Sequence, residues 1–127
     1  MASNRITIMQ GNTPKLRYTY REDGHVAYIP EGYSLIAGLY TPKGQLVLSG
    51  RYPTAETGEI QITPDEHDDY LYLMELSHEQ TVGLTGAYVL EVSVVDDALE
   101  DVSHATSTVI LEFVKRDNNR LLNNNAT

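Results

Sequence analysis

Strand-forming segments recur about every ten residues along this sequence, and turn-forming residues separate them. This spacing is typical of a β-sandwich or barrel, because helices would need longer segments with a different hydrophobic period. We therefore predict one all-β domain over residues 1–117, followed by a polar tail over residues 118–127. The eight predicted strands cover residues 5–9, 15–21, 34–41, 45–51, 58–63, 69–76, 87–96 and 105–115.

Two local signals refine this outline. The motif Pro42-Lys43-Gly44 stands between two apolar segments. Proline presets the first turn angle and glycine accepts a positive φ, so the motif predicts a hairpin that joins the third and fourth strands. Ser77 is followed three residues later by Gln80, a capping-box pattern that predicts one short helical turn.

Alternation of apolar and polar residues assigns the faces of two strands. We expect the apolar face of each strand to lie in the core. The residues predicted to face the core are Tyr88, Leu90, Val92 and Val94 in one strand and Leu16, Tyr18 and Tyr20 in the other. The opposite face of the second strand forms a basic stripe of Lys15, Arg17 and Arg21.

Residues 71–74 and 109–111 break this alternation, because they are apolar on both faces of their strands. A strand in a two-layer sandwich has only one core side, so either a loop or another protein must cover the second face. The second alternative predicts that Tyr72, Met74 and Ile110 form an exposed apolar contact surface.

The charge of the chain is unevenly distributed. The net charge is −9, yet residues 1–21 carry four basic residues and no acidic one, while residues 52–112 carry fourteen acidic residues and no lysine or arginine. An acidic body repels phosphate backbones, so we expect no nucleic-acid partner. No apolar run has the length of a leader or a membrane span, so we expect a soluble chain with no membrane partner.

Residue patterns for catalysis or metal binding are missing from the sequence. Cysteine is absent, the four histidines lack zinc-site spacing, and no G-x-S-x-G motif occurs. The acidic segment 65–69 lacks the spacing of an EF-hand calcium loop and is interpreted as a solvated loop. We therefore predict no enzyme activity, no cofactor and no metal site.

The order of several motifs resembles a family of tailed-phage virion proteins, namely the N-terminal immunoglobulin-like domain of baseplate upper proteins. The resemblance covers residues 8–95 and implies an immunoglobulin-like β-sandwich of about eight antiparallel strands, with a non-enzymatic, self-assembling role in the virion. Members of that family continue into further domains, whereas this sequence ends soon after Lys115. This difference favours a free-standing auxiliary or decoration protein of the capsid. The matching motifs are IMQGNT (8–13), LRY (16–18), LYTPKG (39–44), GEIQI (58–62) and GAYVLEV (86–92).

The expected function is therefore docking onto the major shell protein of a phage capsid, within the virion assembled in the bacterial cytoplasm. A tail or baseplate module and a carbohydrate-binding module are the alternatives. We expect basic residues to meet an acidic surface on another virion protein or a second copy, and apolar residues to form the buried centre, because exposed charge pairs alone contribute little. We also expect a partner to hold the polar tail. The predicted contact residues are Arg5, Lys15, Arg17, Arg21, Tyr72, Met74, Ile110, Lys115, Arg116 and Arg120.

Overall fold

The computed structural model describes residues 4–53 and 59–115. β-Strands, which range from 2 to 16 residues, make up most of this part of the chain, as the sequence predicts. The elements are β1 (Arg5–Met9), β2 (Lys15–Thr19), β3 (Arg21–Glu22), β4 (His25–Val26), β5 (Tyr33–Tyr40), β6 (Leu46–Tyr52), β7 (Gln61–Pro64), β8 (Leu71–Glu75), α1 (His78–Val82), β9 (Gly86–Asp96) and β10 (Leu99–Val114).

Two sheets pack face to face around one core. The larger sheet has the strand order β1-β10-β9-β5-β6, and the smaller has the order β2-β8-β7. Only the β1–β10 pair is parallel among the paired strands of these two described sheets. The core cluster takes side chains from both sheets, so the predicted two-layer β-sandwich is confirmed.

The core-facing side of β9 matches the predicted alternation. Leu90, Val92 and Val94 are each at most 4% exposed. Tyr88 is half-buried against the core, and its ring meets the ring of Phe113 edge to face, with 5.6 Å between the ring centres. Aromatic pairs favour this geometry, so the predicted face of this strand is confirmed.

The predicted hairpin at Pro42-Lys43-Gly44 is also present. Gly44 has a φ of +89°, and its N–H donates to the carbonyl of Thr41 at 2.8 Å. A non-glycine residue would be strained at this φ. The flanking strands β5 and β6 pair antiparallel, as expected.

The second predicted strand ends earlier than expected. Instead of running to residue 21, β2 ends at Thr19, and β3 and β4 form a separate small hairpin. Its turn consists of Asp23 and Gly24, with φ values of +52° and +80°. Two positive φ angles in succession are the signature of a tight hairpin turn that suits an Asp-Gly pair.

The apolar segment in β8 corrects one expectation. Tyr72 and Met74 are 9% and 3% exposed and belong to the core cluster. They point inward with Leu16 and Tyr18 of β2, their register partners. Their predicted role as an exposed contact surface was therefore wrong, because they occupy the core-facing side of the strand.

The opposite side of β8 is partly covered by the chain itself. Leu71 is 5% exposed, and Leu73 is half-buried. The sequence left two alternatives for this second face, a covering loop or another protein. Leu71 is already covered by the chain itself.

Candidate docking site

Along one side of the sandwich, an end strand of the larger sheet lies beside an end strand of the smaller sheet, with a groove between them. On this side β1 is the end strand of the larger sheet and β2 is the end strand of the smaller sheet. Two adjoining clefts of about 400 and 570 Å³ run between these strands and share Ile6 and Leu16 in their walls. We call the groove that they form the β1–β2 seam. Its walls are residues 4–8 and 11–18, and its floor includes Met74, Leu90 and Val92.

Apolar side chains line both the wall and the floor of the seam, but they differ in exposure. The floor residues Met74, Leu90 and Val92 are at most 4% exposed, whereas Ile6 in the wall is 40% exposed. Ile6 is the register partner of Leu111, and paired residues of neighbouring strands point to the same side of a sheet. Ile6 therefore faces the side of the sheet that packs on the smaller sheet, but it is only partly covered there and lines the cleft with Leu16 and Met74.

All charged residues that line the two clefts are basic, namely Arg5, Lys15 and Arg17. This is unusual in a chain with eighteen acidic and nine basic residues. The rim of the seam therefore combines positive charge with an apolar floor.

The rim cations have acidic neighbours outside the clefts. Arg5 pairs with Glu112 at 2.7 Å, and Lys15 pairs with Glu75 at 3.7 Å. Both pairs are exposed to solvent, so each contributes little to stability and leaves the cations free to exchange partners. The Arg5 pair lies on the outer face of the larger sheet, where Arg5 and Glu112 belong to adjacent strands.

Arg17 is exposed and lies within electrostatic reach of Asp65. The pKa of the Asp65 carboxyl is lowered chiefly because the His67 amide donates a hydrogen bond to it; the Asp68 amide and the Arg17 charge act in the same direction. The amide nitrogens of His67 and Asp68 each lie 2.9 Å from Oδ2 of Asp65, so this carboxylate accepts its hydrogen bonds within its own loop.

One end of the seam is held by the turn that joins β1 to β2. The side-chain amide of Gln10 donates to the carbonyl of Leu84 at 2.8 Å, and the hydroxyl of Thr81 donates to the carbonyl of Asn12 at 2.6 Å. The imidazole of His78 lies 2.6 Å from the carbonyl of Gly11. Helix α1 and the residues after it therefore fix the spacing of the two edge strands.

The predicted capping box positions that helix. The Ser77 hydroxyl accepts from the Gln80 amide at 3.2 Å, and the Gln80 side chain accepts from the Ser77 amide at 2.8 Å. The two bonds satisfy amide groups that have no partner inside the helix. The short helical turn predicted from the sequence is confirmed.

The structure brings together only part of the predicted contact set. Arg5, Lys15 and Arg17 meet at the rim of the seam, and Met74 contributes to its floor. Tyr72 stays in the core and does not line either cleft.

The remaining predicted residues lie elsewhere. Arg21 is on the separate β3–β4 hairpin, and Lys115 is exposed after the end of β10. Ile110 is half-buried on the outer face of the larger sheet, opposite Val89. Arg116 and Arg120, like the tail 118–127 and the domain boundary at residue 117, lie outside the described residues.

Ile6 and Leu16 were missed as site residues. Both occupy apolar positions in alternating strands, and sequence reasoning assigns such positions to the core. Their exposure depends on sheet order, which no local pattern of residues reveals.

The described residues were searched for clusters of metal-ligating side chains. No group of three or more histidine, aspartate or glutamate side chains is close enough to hold a metal ion in the described part of the chain. No described helix is long and apolar enough to cross a membrane. Every buried side-chain nitrogen and oxygen in these residues has a hydrogen-bond partner.

Comparisons with known proteins bear on the fold. No protein-family model matches the sequence, and no curated protein matches it. The chain is similar in structure to the natural killer cell receptor NKp44, a triggering partner in natural cytotoxicity, with 11% identity, a TM-score of 0.54, and coverage of 89% of this chain and 99% of that chain. It is also similar to the ZIG-8–RIG-5 IG1–IG1 heterodimer, with 13% identity, a TM-score of 0.45, and coverage of 89% and 83%. The likeness to NKp44 confirms the immunoglobulin-like β-sandwich.

Proposed function

We propose that this chain is a non-catalytic structural protein of a phage virion, and that it docks through the β1–β2 seam onto an acidic segment of a neighbouring virion protein. The observation that carries the proposal is an apolar groove whose charged lining residues are all cations, in a chain of net charge −9. The virion role is supported by the order of the motifs between residues 8 and 95, which resembles phage baseplate proteins.

In the proposed mechanism, the apolar residues of the seam stabilise the complex and the basic residues of its rim orient the partner. When a partner covers the seam, the hydrophobic effect favours binding, because apolar side chains leave water. These side chains are Ile6 and the half-buried Leu16 and Tyr18. Burying the exposed part of each of these side chains contributes on the order of 1 kcal/mol or less. Arg5 and Arg17 orient an acidic partner and speed its encounter, which is the usual contribution of rim charges.

The major capsid shell protein is the proposed partner, and a tail or baseplate protein is the alternative within the same proposal. A stable contact usually buries roughly 800 Å² on each partner, so residues around the seam would join the interface. Half-buried Ile110 and its register neighbour Arg5 are placed to do so on the larger sheet.

The test compares two charge-reversal variants for binding to purified shell, tail and baseplate proteins by light scattering. The first variant, Arg5→Glu/Lys15→Glu/Arg17→Glu, reverses the rim of the seam. We expect it to bind the virion partner at least tenfold more weakly, since three unfavourable charge contacts replace favourable ones.

The control variant is Arg21→Glu/Lys43→Glu/Lys115→Glu, which makes the same change in net charge at exposed positions outside the clefts. It should bind as the unmodified chain does. If both variants bind equally weakly, the net charge of the chain determines binding, and not the position of the charges. Unchanged binding of the rim variant would refute docking at the seam. Thermal melts of both variants check that they are folded.

A further inference from the structure

The backbone of β2 presents hydrogen-bonding groups to the seam. In the described residues β2 pairs with β8 alone, and the amide of Leu76 donates to the carbonyl of Pro14 at 3.2 Å. The same register pairs Leu16 with Met74. In an antiparallel pair, the residues that exchange hydrogen bonds alternate with residues whose N–H and C=O groups point the other way. The residues whose N–H and C=O groups point into the open edge are therefore Lys15, Arg17 and Thr19.

The side chains of β2 follow the complementary alternation. Leu16 and Tyr18 point toward the core side, where both pack against the core cluster. Lys15 and Arg17 point to the outer face of the smaller sheet and are exposed. A strand placed beside β2 would have every second side chain over the apolar seam and the others beside these two cations.

We infer that the seam accepts an extended segment of another protein, which adds as a strand to the open edge of β2 and alternates apolar with acidic residues. The inference rests on the proposed docking function and specifies its partner. Edge strands recognise peptides in this manner: the backbone supplies the affinity, and alternate side chains supply the specificity.

The chain itself offers no matching segment in the described edge strands. The other end strands of the two sheets are β1, β6 and β7, with the sequences RITIM, LVLSGRY and QITP, and none contains an acidic residue. In the tail sequence 116–127, two arginines outnumber the single acid. Leu121 and Leu122 are adjacent there, so a strand would direct them to opposite faces. The lack of acidic residues in these end strands, and the charge and leucine positions of the tail sequence, therefore favour a segment of a different protein as the added strand.

The experiment uses the full chain, labelled with ¹⁵N, and a seven-residue peptide that alternates valine and glutamate. A peptide that alternates valine and lysine is the matched control. We expect the glutamate peptide to slow amide exchange at Arg17 and Thr19 by about tenfold or more, since these N–H groups gain a partner. The amides of Leu16 and Tyr18 already face β8 and should change little.

Two variants at one position isolate the backbone contribution. Thr19→Pro removes an outward N–H without touching a hydrogen bond to β8, and proline is tolerated at such edge positions. Thr19→Val keeps the N–H. The proline variant should bind the glutamate peptide about fivefold more weakly than the valine variant, the effect expected for one hydrogen bond.

A charge swap tests the acidic preference. Arg17→Glu should reduce the preference for the glutamate peptide over the lysine peptide. Strand addition is overturned if the glutamate peptide binds without protecting Arg17 and Thr19, or if neither peptide binds. If the rim variant no longer binds the virion partner but the peptide leaves the amides unprotected, the chain docks at the seam without strand addition. Unchanged partner binding would reject the docking function itself.

Discussion

Ile6 and Leu111 are register partners in adjacent parallel strands and point to the same side of the sheet, yet Leu111 is fully buried and Ile6 is 40% exposed. β10 lies inside the larger sheet, whereas β1 is its end strand. Ile8, on the same face of β1, is 5% exposed, so the exposure is confined to the Ile6 end of this strand. Because β2 is also an end strand, the core of the sandwich reaches the surface between them. This exposed part of the core is the basis of the proposed docking site.

The same pair gives a test of the open seam. Leu111→Ala should lower the free energy of unfolding by roughly 2–5 kcal/mol, the usual effect of a cavity in a packed core. Ile6→Ala should cost only about 1–2 kcal/mol, because less of its side chain leaves water on folding. Urea denaturation measures both. Equal costs would mean that Ile6 is covered in solution and that the seam is closed.

Gly50 marks a close approach between β6 and the residues before β7. A Cβ atom at Gly50 would overlap the carbonyl oxygen of Ile60, and the Ile60 amide donates to the carbonyl of Ser49 at 2.9 Å. Gly50→Ala should therefore cost about 3 kcal/mol or more, because backbone atoms must shift. Thermal unfolding of the variant measures the loss.

Gly83 is the control for that substitution. A Cβ atom there meets nothing within 4 Å, and its φ of −94° suits any residue. Gly83→Ala should leave stability unchanged or raise it by about 0.4–1 kcal/mol, through lower entropy of the unfolded chain. A Gly50→Ala variant as stable as Gly83→Ala would contradict the described contact with Ile60.

The capping box of α1 should contribute measurably to stability. Ser77→Ala removes the acceptor for the Gln80 amide and should cost about 1 kcal/mol. Ser77→Asp keeps an acceptor at this position and should retain most of the stability. Chemical denaturation of the two variants checks the difference, and an equal loss in both would show that the hydroxyl bond is not the cause.

Two buried tyrosines, Tyr20 and Tyr72, and the half-buried Tyr18 predict a loss of stability at alkaline pH. Burial is the first cause that raises the pKa values of Tyr18, Tyr20 and Tyr72 above the ordinary value of about 10. As the pH rises past that value, the unfolded chain loses these protons first, so the free energy of unfolding falls; below it the contribution is fully present.

Melting temperatures between pH 8 and 11.5 measure this loss. The decrease should begin near pH 10, and Tyr72→Phe should make it shallower because one such group is removed. A melting temperature that stays constant to pH 11.5 would contradict the burial of these hydroxyls. An unchanged slope in Tyr72→Phe would exclude Tyr72 as a contributor.

Local patterns were sufficient to predict most elements of this fold. The turn at Pro42-Lys43-Gly44, the capping box at Ser77 and the inward face of β9 depend on neighbouring residues, so the sequence contains the necessary signals. The β3–β4 hairpin was not among the predicted elements, because its strands of two residues are too short to show alternation.

The candidate site was harder to predict, since it depends on which strands lie at the edges. The basic residues Arg5, Lys15 and Arg17 were identified from charge and strand alternation, and the structure places them around one groove. Tyr72 and Met74 were assigned to the surface because their strand is apolar on both sides. A consecutive apolar run does not say which face is inside, whereas the register with β2 does.

The most direct test of the account is hydrogen–deuterium exchange of the chain, free and bound in assembled virions. Docking at the seam predicts slower exchange on binding in β1 (Arg5–Met9) and β2 (Lys15–Thr19), with little change in β5 (Tyr33–Tyr40) and β6 (Leu46–Tyr52). Protection confined to β5 and β6, with β1 and β2 exchanging as in the free chain, would contradict the seam as the docking site.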